Sequence, residues 1–245
     1  GGVAASAIIN SGGKQLVSSG GSATSTTINS SGSQLVSSGG SATSTTINSS
    51  GSQLVFSGGS ATSTTIYSGG NQYVSSGGSV TDTTVNSGGN QNIDLDGSAT
   101  STIVNGGGQK VFGTATGTTI NSGGMQYIVG NFGSATGTTI NWGGTQNVSS
   151  GGRATSTTIY SHGTQNIYRG GSATSTTINS GGYQYIYGEG SATSTIIRAG
   201  VQFVNEGGSA TSTTINDSGI QFVNGGSVTS TIINPNGRQY VSSGT

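Results

Sequence analysis

Small apolar residues return along this chain at fixed places in a repeat of about 19 residues. If the glycine that opens each repeat is its first position, thirteen repeats begin at Gly2, Gly21, Gly40, Gly59, Gly78, Gly97, Gly113, Gly133, Gly152, Gly171, Gly190, Gly208 and Gly226, and they run to Gly244. Their consensus is G-S-A-T-S-T-T-I-N-S-G-G-x-Q-x-V-S-S-G. The third position is always Ala or Val, the eighth always Ile or Val, and the sixteenth always Val or Ile. The fourteenth is Gln in all thirteen, from Gln15 to Gln239. Between these places the sequence is hydroxyl, amide and glycine. Length changes little: the repeat from Gly97 has 16 residues, that from Gly113 has 20, and those from Gly190 and Gly208 have 18.

Thr-Thr-Ile favours a strand, and Gln-x-Val is compatible with one. Asn-Ser-Gly-Gly and Ser-Ser-Gly-Gly supply residues that accept positive φ, so they read as turns. Each repeat therefore predicts strand, turn, strand, turn: two short strands in one coil. Stacked coils give an all-β chain, a right-handed parallel β-helix (solenoid) of about 13 coils over residues 1–245. Equivalent residues then form columns. Ile and Val columns fill the interior, but apolar burial alone does not hold such a coil, so backbone ladders and side-chain stacks must contribute.

Alternation puts Gln at the fourteenth position on the face of the Val two residues later. This predicts an inward column of amides bonded one to the next; a bend between the two residues would turn the column outward instead. Thr at the sixth position, present in every repeat except at Ala7, shares a face with the eighth. It is expected inside, its hydroxyl on a backbone carbonyl. Asn at the ninth position, as at Asn10, Asn29, Asn48 and Asn234, reads as a corner column.

Composition narrows the function. Hydrophobic residues are 29%, charged residues 5%, glycines 48 and cysteines none. An ordinary single-core enzyme has about 45–50% apolar residues. Net charge is zero with six Lys and Arg, which excludes a phosphate-driven nucleic-acid binder and a polybasic membrane patch. No apolar run is long enough for a membrane span, and no thiolate metal site or disulfide framework is available. The N-terminal residues do not read as a signal peptide, so a mature chain or a fragment is expected.

Candidate chemistry is sparse. The glycine strings lack the Lys of a phosphate loop, and no helical pattern follows them. Gly-Gly-x-Gln-x-Val lacks the ligating Asp of a calcium repeat. Asp94 and Asp96 are the one close carboxylate pair and read as a solvated turn. The remaining ionisable residues, Lys14, Asp82, Lys110, Arg153, Arg169, Glu189, Arg198, Glu206, Asp217 and Arg238, are scattered, and His162 replaces a turn glycine. No catalytic residue, resident cofactor or metal is expected, and the chain does not read as an enzyme. A carbohydrate-active β-helix would need a charged cluster in space.

Three repeated surfaces remain. Exposed Ser in short loops suits O-glycosylation: Ser11, Ser30, Ser49, Ser68, Ser87, Ser122, Ser161 and Ser180 at the tenth position, Ser19, Ser38, Ser57, Ser76 and Ser150 in the Ser-Ser pair, and Ser22, Ser41 and Ser60 at the second position. Plain turn composition explains the same residues. The fifteenth position should point outward; Tyr73, Tyr127, Tyr185, Phe203, Phe222 and Tyr240 there are contact-face candidates, with ladder stacking as the alternative. Thr-x-Thr at the fourth and sixth positions would suit an ice-binding solenoid if both columns faced out.

The repeats S-G-G-x-Q-x-V and G-S-A-T-S-T-T-I-N, at this spacing over nearly the whole chain, resemble the passenger repeats of self-associating bacterial autotransporter adhesins, the family of the adhesin involved in diffuse adherence. The resemblance implies an extracellular β-helix displayed on a Gram-negative surface, with host-cell adhesion through an unidentified receptor, autoaggregation and biofilm formation. It implies covalent O-linked heptose on Ser, placed before secretion by a dedicated autotransporter heptosyltransferase, in short loops between short strands. The family's membrane-anchoring β-barrel is not among these residues, so a passenger fragment is expected. Gly106, Trp142, Ala199, Asp217 and Pro235 replace the tenth-position Ser, so modification there cannot be uniform.

Overall fold

A computed structural model describes residues 1–243; Gly244, where the last repeat ends, lies outside them. The chain is a parallel β-solenoid of about thirteen turns, and no helix occurs among the described residues. It divides into two compact units, Gly1–Thr118 and Thr119–Thr245. In the first unit, successive coils contribute Ser22–Thr24, Ser41–Thr43 and Ser60–Thr62 to one parallel sheet. Thr27–Ile28 and Thr46–Ile47 belong to a second, and Ser33–Val36 and Ser52–Val55 to a third. The second unit repeats the plan, with Ser172–Thr174 and Ser191–Thr193, then Thr177–Ile178 and Ile196–Arg198, then Tyr183–Ile186 and Val201–Asn205.

Each coil therefore holds three short strands, where the sequence pattern suggested two. The cause sits at the fifth position, inside what reads as a single Ser-Ala-Thr-Ser-Thr-Thr-Ile run. There the backbone is left-handed: φ is 55° at Ser25, 56° at Ser44, 55° at Asp82 and 68° at Gly137. A strand cannot pass through that conformation, so the run breaks into two strands meeting at a corner. Short polar residues tolerate the left-handed region better than bulky or β-branched ones.

Register is kept coil by coil. Gln34 pairs with Gln53 and Val36 with Val55 in the first unit. Gln184 pairs with Gln202 and Ile186 with Val204 in the second. The third, eighth and sixteenth positions stack inward, as at Ala42, Ile47 and Val55, all buried. Two of the repeat's glycines are fixed by close approach. At the twelfth position, a Cβ on Gly51 would lie 2.8 Å from the Ile28 carbonyl oxygen of the previous coil. At the first position, a Cβ on Gly59 would lie 2.3 Å from the carbonyl oxygen of Val36. Neither distance admits a side chain, which explains why both columns hold glycine throughout.

The glutamines face inward and are fully buried, as at Gln34, Gln53 and Gln184. Each Nε2 donates to the Oε1 of the preceding coil: Gln53 to Gln34 at 2.7 Å and Gln72 to Gln53 at 2.7 Å in the first unit, Gln184 to Gln165 and Gln202 to Gln184 at 2.6 Å in the second. The sixth-position Thr is buried too, but its hydroxyl does not donate to a backbone carbonyl as expected. It donates to the same glutamine oxygen: Thr45 to Gln34, Thr64 to Gln53 and Thr83 to Gln72, each at 3.2 Å. The β-pairing already uses the nearby carbonyls, whereas an amide oxygen has two lone pairs and the ladder fills only one. This arrangement satisfies a polar column that would otherwise be costly to bury.

Candidate functional site

The three-stranded coil has three corners, and hydroxyls gather on them. The tenth-position serines, Ser11, Ser30, Ser49, Ser68, Ser87, Ser122, Ser161 and Ser180, are all exposed at the corner between the second and third sheets. Ser19, Ser38, Ser57, Ser76 and Ser150 are exposed at the corner that closes each coil. Of the second-position candidates, Ser60 is exposed while Ser22 and Ser41 are half-buried.

A further column escapes the sequence analysis. The fifth-position residues Ser6, Ser25, Ser44, Ser63, Ser101, Ser156, Ser175, Ser194, Ser212 and Ser230 are all exposed and all have positive φ. They occupy a tight turn joining two short strands. The signal for that turn is present in the chain, since Gly117 and Gly137 stand at the same position. In the second unit Ser175, Ser194 and Ser212 line an open cleft of about 430 Å³ with Thr177, Ile196 and Thr214. Inward burial of the sixth-position Thr removes one of the two Thr columns that an ice-binding face would need.

The fifteenth position does point outward, and the structure divides its members. Tyr73 lies between Leu54 and Asn92, and Tyr127 beside Asn147, so neither meets another ring of that column. Tyr127 instead donates its hydroxyl to Met125 Sδ at 2.9 Å. Tyr185, Phe203, Phe222 and Tyr240 form one stack, with centroid separations of 4.8, 5.1 and 5.2 Å and interplanar angles of 3°, 11° and 17°. Coils lie about 4.8 Å apart, less than a ring's width, so neighbouring rings stand on edge and stack. Tyr183 and Tyr187, two residues to either side of Tyr185, join it at 6.2 and 6.1 Å, and Tyr168 stacks on Tyr187 at 5.2 Å. Alternation along the strand puts these on the same face as Tyr185, a signal that a reading of one column alone passes over. Desolvation raises the pKa of Tyr185 above its ordinary value, with a smaller contribution from the Tyr183 phenol. Tyr187 is raised likewise, by desolvation first and then by Tyr168 and Tyr185.

The ionisable residues lie apart from these features. Asp94 and Asp96 are exposed on a turn around Leu95, and no group of three or more metal-ligating side chains occurs among the described residues. Arg169 pairs with Glu189 at 2.9 Å on the surface. His162 is an exposed turn residue with φ of 58°; its Nδ1 lies 2.7 Å from Ser161 Oγ and its ring 6.1 Å from Trp142.

Comparison with known proteins follows the same lines. Residues 1–51 match the family model described as adhesin of bacterial autotransporter system, probable stalk. A crystal structure of the TibC-catalysed hyper-glycosylated TibA fragment is 53% identical, covers 99% of this chain and 89% of its own, and superposes with a TM-score of 0.96. QnrB1, a plasmid-mediated fluoroquinolone resistance protein, is 10% identical, with 96% of this chain and 93% of its own covered and a TM-score of 0.30. No curated protein sequence matches the chain.

Proposed function

This chain belongs to the autotransporter adhesins related to TibA, and from that premise we propose that it is a surface-displayed passenger, O-heptosylated on corner serines, that mediates host-cell adhesion, autoaggregation and biofilm formation. In this reading residues 1–245 act as one passenger, and an autotransporter heptosyltransferase is the modifying partner. The relative at 53% identity carries sugar added by TibC. The observation that carries the reading is the arrangement of hydroxyls. Nearly every coil puts at least one Ser on an exposed corner turn, clear of the core, where a transferase can reach it without unfolding a strand.

Three columns are acceptors in this proposal: the fifth, the tenth and the eighteenth. The fifth fits a short turn between short strands most closely, because only two or three residues flank it on either side before the next corner. The tenth is interrupted at Gly106, Trp142, Ala199, Asp217 and Pro235, and the fifth at Asp82, Gly117 and Gly137, so modification follows the serines rather than the coils.

Peptide-level mass mapping of protein made with and without the heptosyltransferase tests this. The expected outcome is a ladder of heptose-sized increments confined to peptides that contain exposed corner serines. Unchanged mass in the presence of active transferase would overturn the glycoprotein reading.

A further inference from the structure

We propose that Tyr168 and Tyr187 form an oxidative cross-linking site, at which a haem peroxidase acting with hydrogen peroxide joins the two rings and fastens consecutive coils by a carbon–carbon bond. The chain has no cysteine, so a disulfide is not available for this purpose. A phenol is the remaining side chain that couples readily with its own kind under one-electron oxidation.

Placement singles out this pair. Among the nine tyrosines of the chain, these two alone stack ring on ring across consecutive coils within the described residues. Their centroids are 5.2 Å apart and their planes 10° from parallel. Both stand at the seventeenth position, directly after Thr164–Ile167 and Tyr183–Ile186, two strands that pair with Ile167 opposite Ile186. The backbone fixes the overlap, because the Tyr187 N–H donates to the Ile167 carbonyl at 2.9 Å. Beside the rings, the Arg169–Glu189 ion pair joins the same two coils. Tyr168 is 40% exposed, so an oxidant reaches it from solvent, and Tyr187 is half-buried beneath the same surface.

Other tyrosines lack such a partner. Tyr73 lies between Leu54 and Asn92, and Tyr127 beside Asn147. Tyr240 stacks on Phe222, which has no hydroxyl to oxidise. Tyr185 meets Tyr183 and Tyr187 at 6.2 and 6.1 Å, but along one strand, where a bond would tie no coil to the next.

The chemistry balances without any group from the chain beyond the two phenols. Each hydroxyl gives up one electron and one proton, leaving two phenoxyl radicals whose spin spreads to the ring carbons ortho to oxygen. Those carbons join. The hydrogen on each coupled carbon then moves to its own oxygen, which restores two phenols on a biaryl. The two electrons and two protons reduce one hydrogen peroxide to two waters. Side chains on the outer surface can turn about their torsions to bring the ortho carbons together, which a packed core would forbid. The product closes one complete coil, from Tyr168 round to Tyr187, into a covalent ring.

The test treats the full chain, made without the heptosyltransferase and kept dilute, with a haem peroxidase and hydrogen peroxide. The expected product is a monomer lighter by two hydrogen atoms that shows dityrosine fluorescence. After trypsin, the peptide that ends at Arg169 should be joined to the one that ends at Arg198, with fragmentation placing the bond on Tyr168 and Tyr187. Tyr168→Phe and Tyr187→Phe each keep a stacked ring without its hydroxyl, and each should lose most of the fluorescence. Tyr127→Phe should leave it unchanged. The linked chain should melt roughly 5 °C above Tyr168→Phe treated in the same way, because the cross-link restricts the unfolded chain. A bond on a different pair of tyrosines, coupling chiefly between chains, wild-type yield from both phenylalanine variants, or equal melting would overturn the proposal.

Discussion

A single glutamine in this solenoid holds three hydrogen bonds at once. Gln72 Nε2 donates to Gln53, while its Oε1 accepts from Thr83 and from Gln91 Nε2, at 2.7, 3.2 and 2.8 Å. Gln72→Ala takes the shared acceptor from two buried donors, the Thr83 hydroxyl and the Gln91 amide, leaves Gln53 Oε1 with Thr64 alone, and opens a void in the column. Denaturant unfolding should show a loss of roughly 3 kcal/mol, since each stranded buried polar group costs about 1–3 kcal/mol. Alternation with Val made the inward face of this column readable from the chain. The threonine's partner was not readable, because parity assigns a side chain to a face and says nothing of which lone pair it finds there.

At the scale of the element, the corner at the fifth position decides how many sheets a coil has. Ser44 sits there with φ of 56°. Ser44→Val puts a β-branched residue into the left-handed region and should cost about 1–2 kcal/mol. Ser44→Gly removes the steric conflict and should be close to neutral, or stabilising by a few tenths of a kcal/mol, offset by the greater freedom of glycine in the unfolded chain. Thermal melting of the two variants distinguishes a backbone requirement from a requirement for the hydroxyl. The strand content of the run was legible from Thr-Thr-Ile, but its interruption was masked: serine is as common in these strands and their flanks as in turns. Only the two glycines at Gly117 and Gly137 mark the position as special. The aromatic array was half legible in the same way. The fifteenth-position column announced Tyr185, Phe203, Phe222 and Tyr240, whereas Tyr73 and Tyr127 share the column without ring neighbours in the adjoining coils.

Across the whole molecule, charge is kept out of the interior. Every Asp, Glu, Lys and Arg, and His162, is exposed. The buried polar groups are neutral amides and hydroxyls, which do not titrate. Stability should therefore change little between about pH 5 and pH 9. Tyr185 and Tyr187 have pKa values raised by folding, so the folded state disfavours their phenolate forms. The sign follows: their contribution is intact below the ordinary tyrosine value of about 10 and is lost as pH rises beyond it. Unfolding midpoints measured across pH should be flat and then fall on the alkaline side. A decline beginning near neutrality would contradict this account. Composition already pointed this way, because a chain with 5% charged residues has little to bury.

The register of the amide file has a consequence for how such chains can change length. Within the first unit, Gln34, Gln53 and Gln72 present the same donor and the same acceptor at successive levels. Removal of residues 40–58 would join Gly39 to Gly59 and set Gln72 directly above Gln34, with every bond re-formed between equivalent atoms. A cut that took an odd number of residues out of a strand would break this register, whereas small differences in length are absorbed at the turns, as where Gln109 follows Gln91 by 18 residues and still bonds to it. Duplication and loss in whole turns are thus structurally silent, and the reach of the protein is a quantity that recombination can adjust one storey at a time.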